Sequence, residues 1–444
     1  MSKRRASNAL SVVVVLVVGP LACQPLAGIE SKSFVEDAGA DVSVPDAAAP
    51  ACEASQRTCR DGKPLTCDRG AFVQAPACLA DSPSCFLGDC VRGRTLALAS
   101  DTSCVRLGDA TARCWGASSY GTVGDGTAKE RRTPTQVTDL RNVTELVAGT
   151  QHVCARLGDG LVSCWGKNDT AQLGDPGVVA AYRPSPATVP GVANVVGLAA
   201  GEYHTCALTL AGVLCWGGNA DGEIGDGTGE DRPAATAVKG LPSVPVEIAA
   251  GGAHTCARFT DGTVACWGRN ADGQIGDGAS AGDRTMPSLV KLPMGATHLA
   301  LGDAHSCARV DNGDVYCWGA NAAGQLGDES NTTRVTPVRV HDLLATSEIA
   351  AGRSHTCARL ANGIVTCWGQ GNEGELGNGG INPSSKPVIV LDLTDAIEID
   401  AGGSHTCALR ADRTVVCWGD NSAGQIGDGS NEQRRAPVTV PVRL

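Results

Sequence analysis

The chain has seven tryptophans, and every one stands in a Cys-Trp-Gly triplet: Trp115, Trp165, Trp216, Trp267, Trp318, Trp368 and Trp418. Successive triplets are 50, 51, 51, 51, 50 and 50 residues apart. A period this regular means one supersecondary unit copied seven times, each copy stacked on its neighbours because it cannot bury its apolar face alone. Most residues then report architecture, and only departures from the repeat report function.

From about Arg94 to Leu444 each unit reads as a small apolar strand, Gly-x-x-His, Cys-Ala, a tight turn, and an alternating Val or Leu run into Cys-Trp-Gly. Asn-x-x-Gly-x-Leu/Ile-Gly-Asp, a variable loop and a last short strand follow. Asp159-Gly160, Asp261-Gly262, Asn312-Gly313 and Asn362-Gly363 mark hairpin turns. Pro134, Pro184, Pro233, Pro287, Pro337, Pro387 and Pro437 are placed at the start of the last strand, an outer edge that needs no ladder donor. Aromatics are 3% of residues, with 57 Gly and 22 Pro, a composition of short strands and turns rather than helices. The predicted fold is all-β: a seven-bladed β-propeller of four-stranded antiparallel blades over residues 94–444. A linear solenoid is the competing architecture. The units run from a first strand near Leu96 to a last strand ending at Leu444, which favours a closed ring with no incomplete blade.

The run Gly251-Gly252-Ala253-His254-Thr255-Cys256-Ala257, continued by Cys266-Trp267-Gly268-Arg269-Asn270-Ala271-Asp272-Gly273-Gln274-Ile275-Gly276-Asp277-Gly278, resembles the repeat of the regulator of chromosome condensation family of seven-bladed propellers. The likeness recurs in all seven units, about four fifths of the chain. Unit one departs most: Ala99 replaces the Gly and Thr102 stands where the others have His.

Within each unit two Cys lie ten residues apart around a hairpin, nine in unit three. Directly opposed positions of an antiparallel pair are within disulfide reach. Seven intra-blade disulfides are therefore expected: Cys104 with Cys114, Cys154 with Cys164, Cys206 with Cys215, Cys256 with Cys266, Cys307 with Cys317, Cys357 with Cys367, and Cys407 with Cys417. Strand alternation puts each Trp on the face opposite the Cys before it, so each indole is expected against the disulfide of an adjacent unit. His152, His204, His254, His305, His355 and His405 share the first Cys's face. Zinc is conceivable there, but six near-equal copies point to bonding where blades meet. Asp125, Asp175, Asp226, Asp277, Asp328, Asn378 and Asp428 read as turn formers, with calcium the alternative.

Residues 1–23 read as an export signal, with Lys3, Arg4 and Arg5 before an apolar run from Ala9 to Val18 and then Leu21-Ala22-Cys23. The segment resembles a bacterial lipoprotein signal, which implies acylation of Cys23; Pro20 departs from that pattern, and cleavage by ordinary signal peptidase is the alternative. Residues 24–51 have little to bury and are expected to be a disordered linker. Residues 52–92 hold Cys52, Cys59, Cys67, Cys78, Cys85 and Cys90, read as a three-disulfide module whose pairing is open among 15 possibilities. Disulfides on this scale belong to an oxidising compartment. The expected location is the bacterial outer membrane or cell surface, lipid-anchored, or the secreted fraction.

A net charge of -11 argues against nucleic acid or anionic lipid as the main partner. No phosphate loop or nucleophile motif occurs, so no catalytic residue, cofactor or metal is assigned and no enzyme is expected. The family's founding member exchanges guanine nucleotides on a small GTPase through a wedge inserted in one blade, and the even spacing here leaves no room for one. Another relative inhibits a secreted hydrolase through aromatics on one face; Tyr120 and Tyr203 are the analogous candidates for binding. Arg132, Arg183, Arg232, Arg284, Arg334 and Arg435, with Lys386 in unit six, are expected on the other face. The reading is an anchored, monomeric protein-binding scaffold. An enzyme inhibitor is the alternative, and a calcium- or glycan-binding module stands behind both.

Overall fold

The computed structural model describes residues 94–444 except 178, 179, 280 and 344, together with the backbone of five short strands between Arg57 and Val91. The signal segment, Cys23, the linker, Cys52 and Cys78 lie outside the described residues. Cys59, Cys67, Cys85 and Cys90 fall on described strand backbones, with Cys85 directly opposite Cys90 in an antiparallel pair. The pairing within that module therefore stays open.

Among the described residues of the repeat region, seven four-stranded antiparallel sheets follow one another, each built from one contiguous unit with its strands in sequence order. Blade two is typical, with strands Val143–Ala148, His152–Leu157, Val162–Lys167 and Tyr182–Thr188. The first strands, Leu96–Leu98, Val143–Ala148, Val195–Ala200, Glu247–Ala250, Ala296–Leu301, Thr346–Ala351 and Ala396–Ala401, touch one another in turn around a central channel. The last of them meets the first, so the units close into a ring. The architecture is the expected propeller.

Each Cys pair sits directly opposite across the second and third strands, with Cα atoms 4.0–4.1 Å apart, and all seven intra-blade disulfides are present. Seven apolar clusters fill the spaces between blades, and each joins the disulfide of one blade to the Trp of the next. Trp216 packs with Cys154 and Cys164, Trp267 with Cys206 and Cys215, and Trp115 closes the ring on Cys407 and Cys417. Strand alternation dictates this arrangement, since a Cys and the Trp after it must face opposite neighbours.

The prolines differ from expectation in one respect. Pro134, Pro287, Pro337, Pro387 and Pro437 stand fourth in their outer strands rather than at the start. There the register slips: Gly268 opposes Arg284 while Cys266 opposes Ser288, and Pro287 lies in the resulting bulge. A bulge on an edge strand tolerates a residue without an N–H, and it twists the edge away from further pairing.

The hairpin glycines Gly160, Gly262, Gly313 and Gly363 all have φ between +77° and +84°. Unit one puts Ala110 in the equivalent turn at φ +60°. A Cβ in that region costs about 1 kcal/mol or more. Ala110→Gly is therefore expected to stabilise the protein by about 0.5–1 kcal/mol, measured by denaturant unfolding, after the entropy lost to a freer unfolded chain is subtracted.

Candidate functional site

The repeated polar residues meet at the blade junctions. The Trp216 indole N–H donates to the carbonyl of Gln172 in the preceding blade at 3.0 Å, and the Thr205 hydroxyl donates to the same carbonyl at 2.9 Å. That hydroxyl, with its proton committed, accepts from Nε2–H of His152 at 2.8 Å. The same histidine-to-hydroxyl link forms at His204–Thr255, His254–Ser306, His305–Thr356, His355–Thr406 and His405–Ser103, all at 2.8–2.9 Å. All seven indoles donate across a junction at 2.8–3.0 Å. The histidines are wholly buried, and burial pushes them down to about 3 or about 4, so they are neutral. Their Nδ1 atoms have no partner among the described residues. They pack against the repeat glycine: a Cβ on Gly201 would lie 2.6 Å from both His204 Nδ1 and the Gly251 carbonyl.

This explains the departures in unit one as a set. With Thr102 in place of His, no ring crowds Ala99, and no hydroxyl acceptor is needed in blade two, where Val153 occupies the position of Thr205. Thr102 turns instead to the Ala117 carbonyl at 2.7 Å.

The turn aspartates have a second duty. Asp226 Oδ1 accepts from the Thr228 N–H at 3.0 Å, while Oδ2 accepts from Arg232 Nε at 2.7 Å. Matching pairs join Arg131 to Asp125, Arg183 to Asp175, Arg284 to Asp277, Arg334 to Asp328 and Arg434 to Asp428. In blade six both members change together, to Asn378 and Ser384. Two expectations are corrected here. These arginines stand at or next to the start of the outer strands, opposite the Gly of the Cys-Trp-Gly triplet, so they lie at the same end of the ring as Tyr120 and Tyr203. The equivalent residues in blades one and seven are Arg131 and Arg434 rather than Arg132 and Arg435, and their charges are taken up within the turn.

That end carries the least repetitive chemistry. Tyr120 follows the third strand of blade one, and Tyr203 lies between the first two strands of blade three. Lys167, ending the third strand of blade two, sits between them with Nζ 5.4 Å from each ring centroid. Tyr182 meets Tyr120 edge-on at 6.4 Å and is 42% exposed. Asp169 pairs with Lys167 at 3.1 Å, and a hydrogen bond to Glu202 pushes the Tyr203 hydroxyl up to about 12. The two tyrosines expected from sequence are thus brought into one patch, and Tyr182 and Lys167 are additions. Counting strand ends would have found Tyr182, because it stands one place before Arg183.

An RCC1-like domain model matches residues 213–444, and regulator of chromosome condensation (RCC1) repeats match 114–156 and 159–208. The chain belongs to the RCC1-like family. The probable E3 ubiquitin-protein ligase HERC4 of Homo sapiens is 34% identical over 158 residues, 34% of this chain and 15% of that protein. The ultraviolet-B receptor UVR8 of Arabidopsis thaliana is 33% identical over 168 residues, 36% of this chain and 38% of the receptor. The chain therefore spans well under half the length of these curated relatives. Human WBSCR16 superposes with a TM-score of 0.67 at 22% identity, covering 74% of this chain and 94% of that one. Yeast RCC1 (Prp20), solved bound to Kap60, superposes with 0.67 at 21%, covering 79% and 85%. These likenesses show the fold.

In this RCC1-like propeller the junction triad can be tested by copying nature's own exception. Thr255→Val strands the His204 N–H and is expected to cost about 1–3 kcal/mol. His204→Thr with Thr255→Val reproduces the junction of blades one and two, and should recover much of that loss in a double-mutant cycle read by denaturant unfolding. The same double variant should resist acid better than the parent. His204 has a lowered folded-state value, so its stabilisation is complete above about pH 6.5 and is lost as pH falls toward about 4. Relative to the parent, the variant's stability should rise by about 1.4 kcal/mol per unit across that window.

Proposed function

We propose that this RCC1-like protein is a non-enzymatic binding scaffold, exported and held at a membrane surface through Cys23, and that it binds a protein partner with the tyrosine-bearing end of the ring. The observation that carries the reading is the patch of Tyr120, Tyr182 and Tyr203 around Lys167. Histidines, aspartates and arginines of the repeat are committed to junctions and turns, whereas these four residues break the repeat and stand at one end. Rigid tyrosines offer large contact area with little entropy to lose on binding, and interface hot spots favour them. Export is supported by the basic and apolar start of the chain and by seven disulfides that need an oxidising compartment. Nucleotide exchange on a GTPase does not fit the uniform blades.

The test is capture from envelope and secreted fractions on the immobilised protein, followed by affinity measurement. Tyr182→Ala and Tyr203→Ala are each expected to weaken the captured partner by about 2 kcal/mol, about thirty-fold, with unchanged thermal unfolding. A partner bound equally by both variants would overturn the reading. Capture of a hydrolase that loses activity on binding would favour the inhibitor reading, for which the same aromatic patch is the supporting observation. Mass spectrometry of the mature N-terminus tests the anchor, which an unmodified terminus would sink.

A further inference from the structure

Around the central channel one ion pair recurs in three of the seven blades, and the other four depart from it, blade one with Thr95 at the acid's position. In blades two, four and six a Glu on the innermost strand pairs with an Arg opposite it on the second strand: Glu145 with Arg156 at 3.0 Å, Glu247 with Arg258 at 2.7 Å, and Glu348 with Arg359 at 2.9 Å. Blade three drops both members at once, with Gly197 opposite Leu208. Blade five has His298 opposite Arg309, and His298 leans 3.7 Å from Glu247. Blade seven keeps the acid and loses the base: Glu398 stands opposite Leu409. A second carboxylate, Asp400, replaces the small apolar residue of the other blades.

These departures shape one cavity of about 580 Å³ that reaches the end of the ring where Arg94 is exposed. At the other end the mouth narrows to a belt of backbone hydrogen bonds between blades, such as Glu202 N–H to the Gly252 carbonyl at 2.9 Å. The volume falls in the range of small-molecule sites. Blade three gives the cavity an apolar wall of Val196, Leu198 and Leu208, and Gly197 leaves space beside it, since a Cβ there would meet only Leu208 at 3.7 Å. Across the ring, blade seven gives it carboxylates. Glu398 Oε1 accepts from the N–H groups of Thr95 and Leu96 at 2.8 and 2.9 Å, and Asp400 Oδ2 accepts from Leu98 N–H at 2.8 Å. The nearby cation is Arg94, 3.6 Å from Asp400 and 43% exposed.

We propose that this channel is a binding site for a small alkylammonium, its charged head against Glu398 and Asp400 and its apolar stem against the blade-three wall. A carboxylate taken out of water without its arginine is costly, and a cation that enters with it lowers that cost. Consistent with this, burial pushes Glu398 up to about 7 and Asp400 up to about 6. An ammonium group supplies the charge that Leu409 does not, and its stem lies along half-buried Val196 and the space beside Gly197. The site is independent of the tyrosine patch, which lies at the opposite end.

The test uses the full protein and three probes of equal length, n-hexylammonium, hexanol and hexanoate, titrated by calorimetry at pH 8. Hexylammonium is expected to bind at least about ten-fold more tightly than either other probe, the charge-assisted contact being worth 1.4 kcal/mol or more. Glu398→Gln keeps an acceptor for the two N–H groups and should lose that preference. Gly197→Leu fills the stem space without touching the charge and should weaken hexylammonium and hexanol alike. No binding of hexylammonium at 10 mM (about the weakest affinity worth assigning), equal binding of all three probes, or binding indifferent to both substitutions in folded protein would each overturn the proposal.

Discussion

Everything in this molecule depends on one carbonyl per blade junction. The Gln172 oxygen receives the Trp216 indole and the Thr205 hydroxyl from the next blade, and that hydroxyl in turn receives His152 from the blade that carries Gln172. An unpaired group at such a buried node would cost its full desolvation, so the three donors and the acceptor are fixed together. Around this polar node lie the indole and the neighbouring disulfide, both wholly buried. The disulfide staples two strands of one blade, and the indole carries that rigidity across to the next. Neither the polar node nor the apolar contact works without the other, because the node needs a dry environment and the dry environment would be too costly with bare polar groups.

The ring is closed by the same means, and by no shared strand. Many ring folds must tie their ends, and here the ends are tied by side chains of blades one and seven, each reaching the backbone of the other. Trp115 and Ser103 both donate to the Gln425 carbonyl, and Glu398 and Asp400 take three N–H groups from blade one, those of Thr95 and of Leu96 and Leu98 in its innermost strand. That strand is only three residues long and its inner edge faces the channel. A carboxylate is the natural cap for an edge whose donors have no partner strand.

The strand order, the disulfides and the facing of each indole were legible because alternation along a strand fixes them once the period is known. The bulge at Pro287 was not, since a proline tolerated at an edge says nothing about how register slips beside it. The partner of each histidine was also hidden. Thr205 sits between His204 and Cys206 and reads as an ordinary strand residue, and its role appears only when blades are placed side by side. Yet the clue was in the sequence: Ala99, Thr102 and Val153 depart together, as do Asn378 with Ser384. Lys167 was missed because a cation between two aromatic rings requires loops from three blades to converge, and period alone does not report how loops lean.

Coupled departures therefore need a different reading from solitary ones. When Gly197 appears with Leu208, or Thr102 with Val153, the second change repairs the first and the local energy balance is kept. Such pairs are evidence of structure. Glu398 opposite Leu409 is not repaired within its own blade, and Asp400 adds charge where other blades have none. Tyr120, Tyr182 and Tyr203 likewise answer to no repeat partner. A chain stabilised by seven nearly equal junctions can carry a few such unrepaired positions without losing its fold, because each junction contributes only a share of the total. The positions that fail to covary are consequently those free to be shaped by a ligand, and in this molecule they gather at two places, the tyrosine-bearing end and the channel.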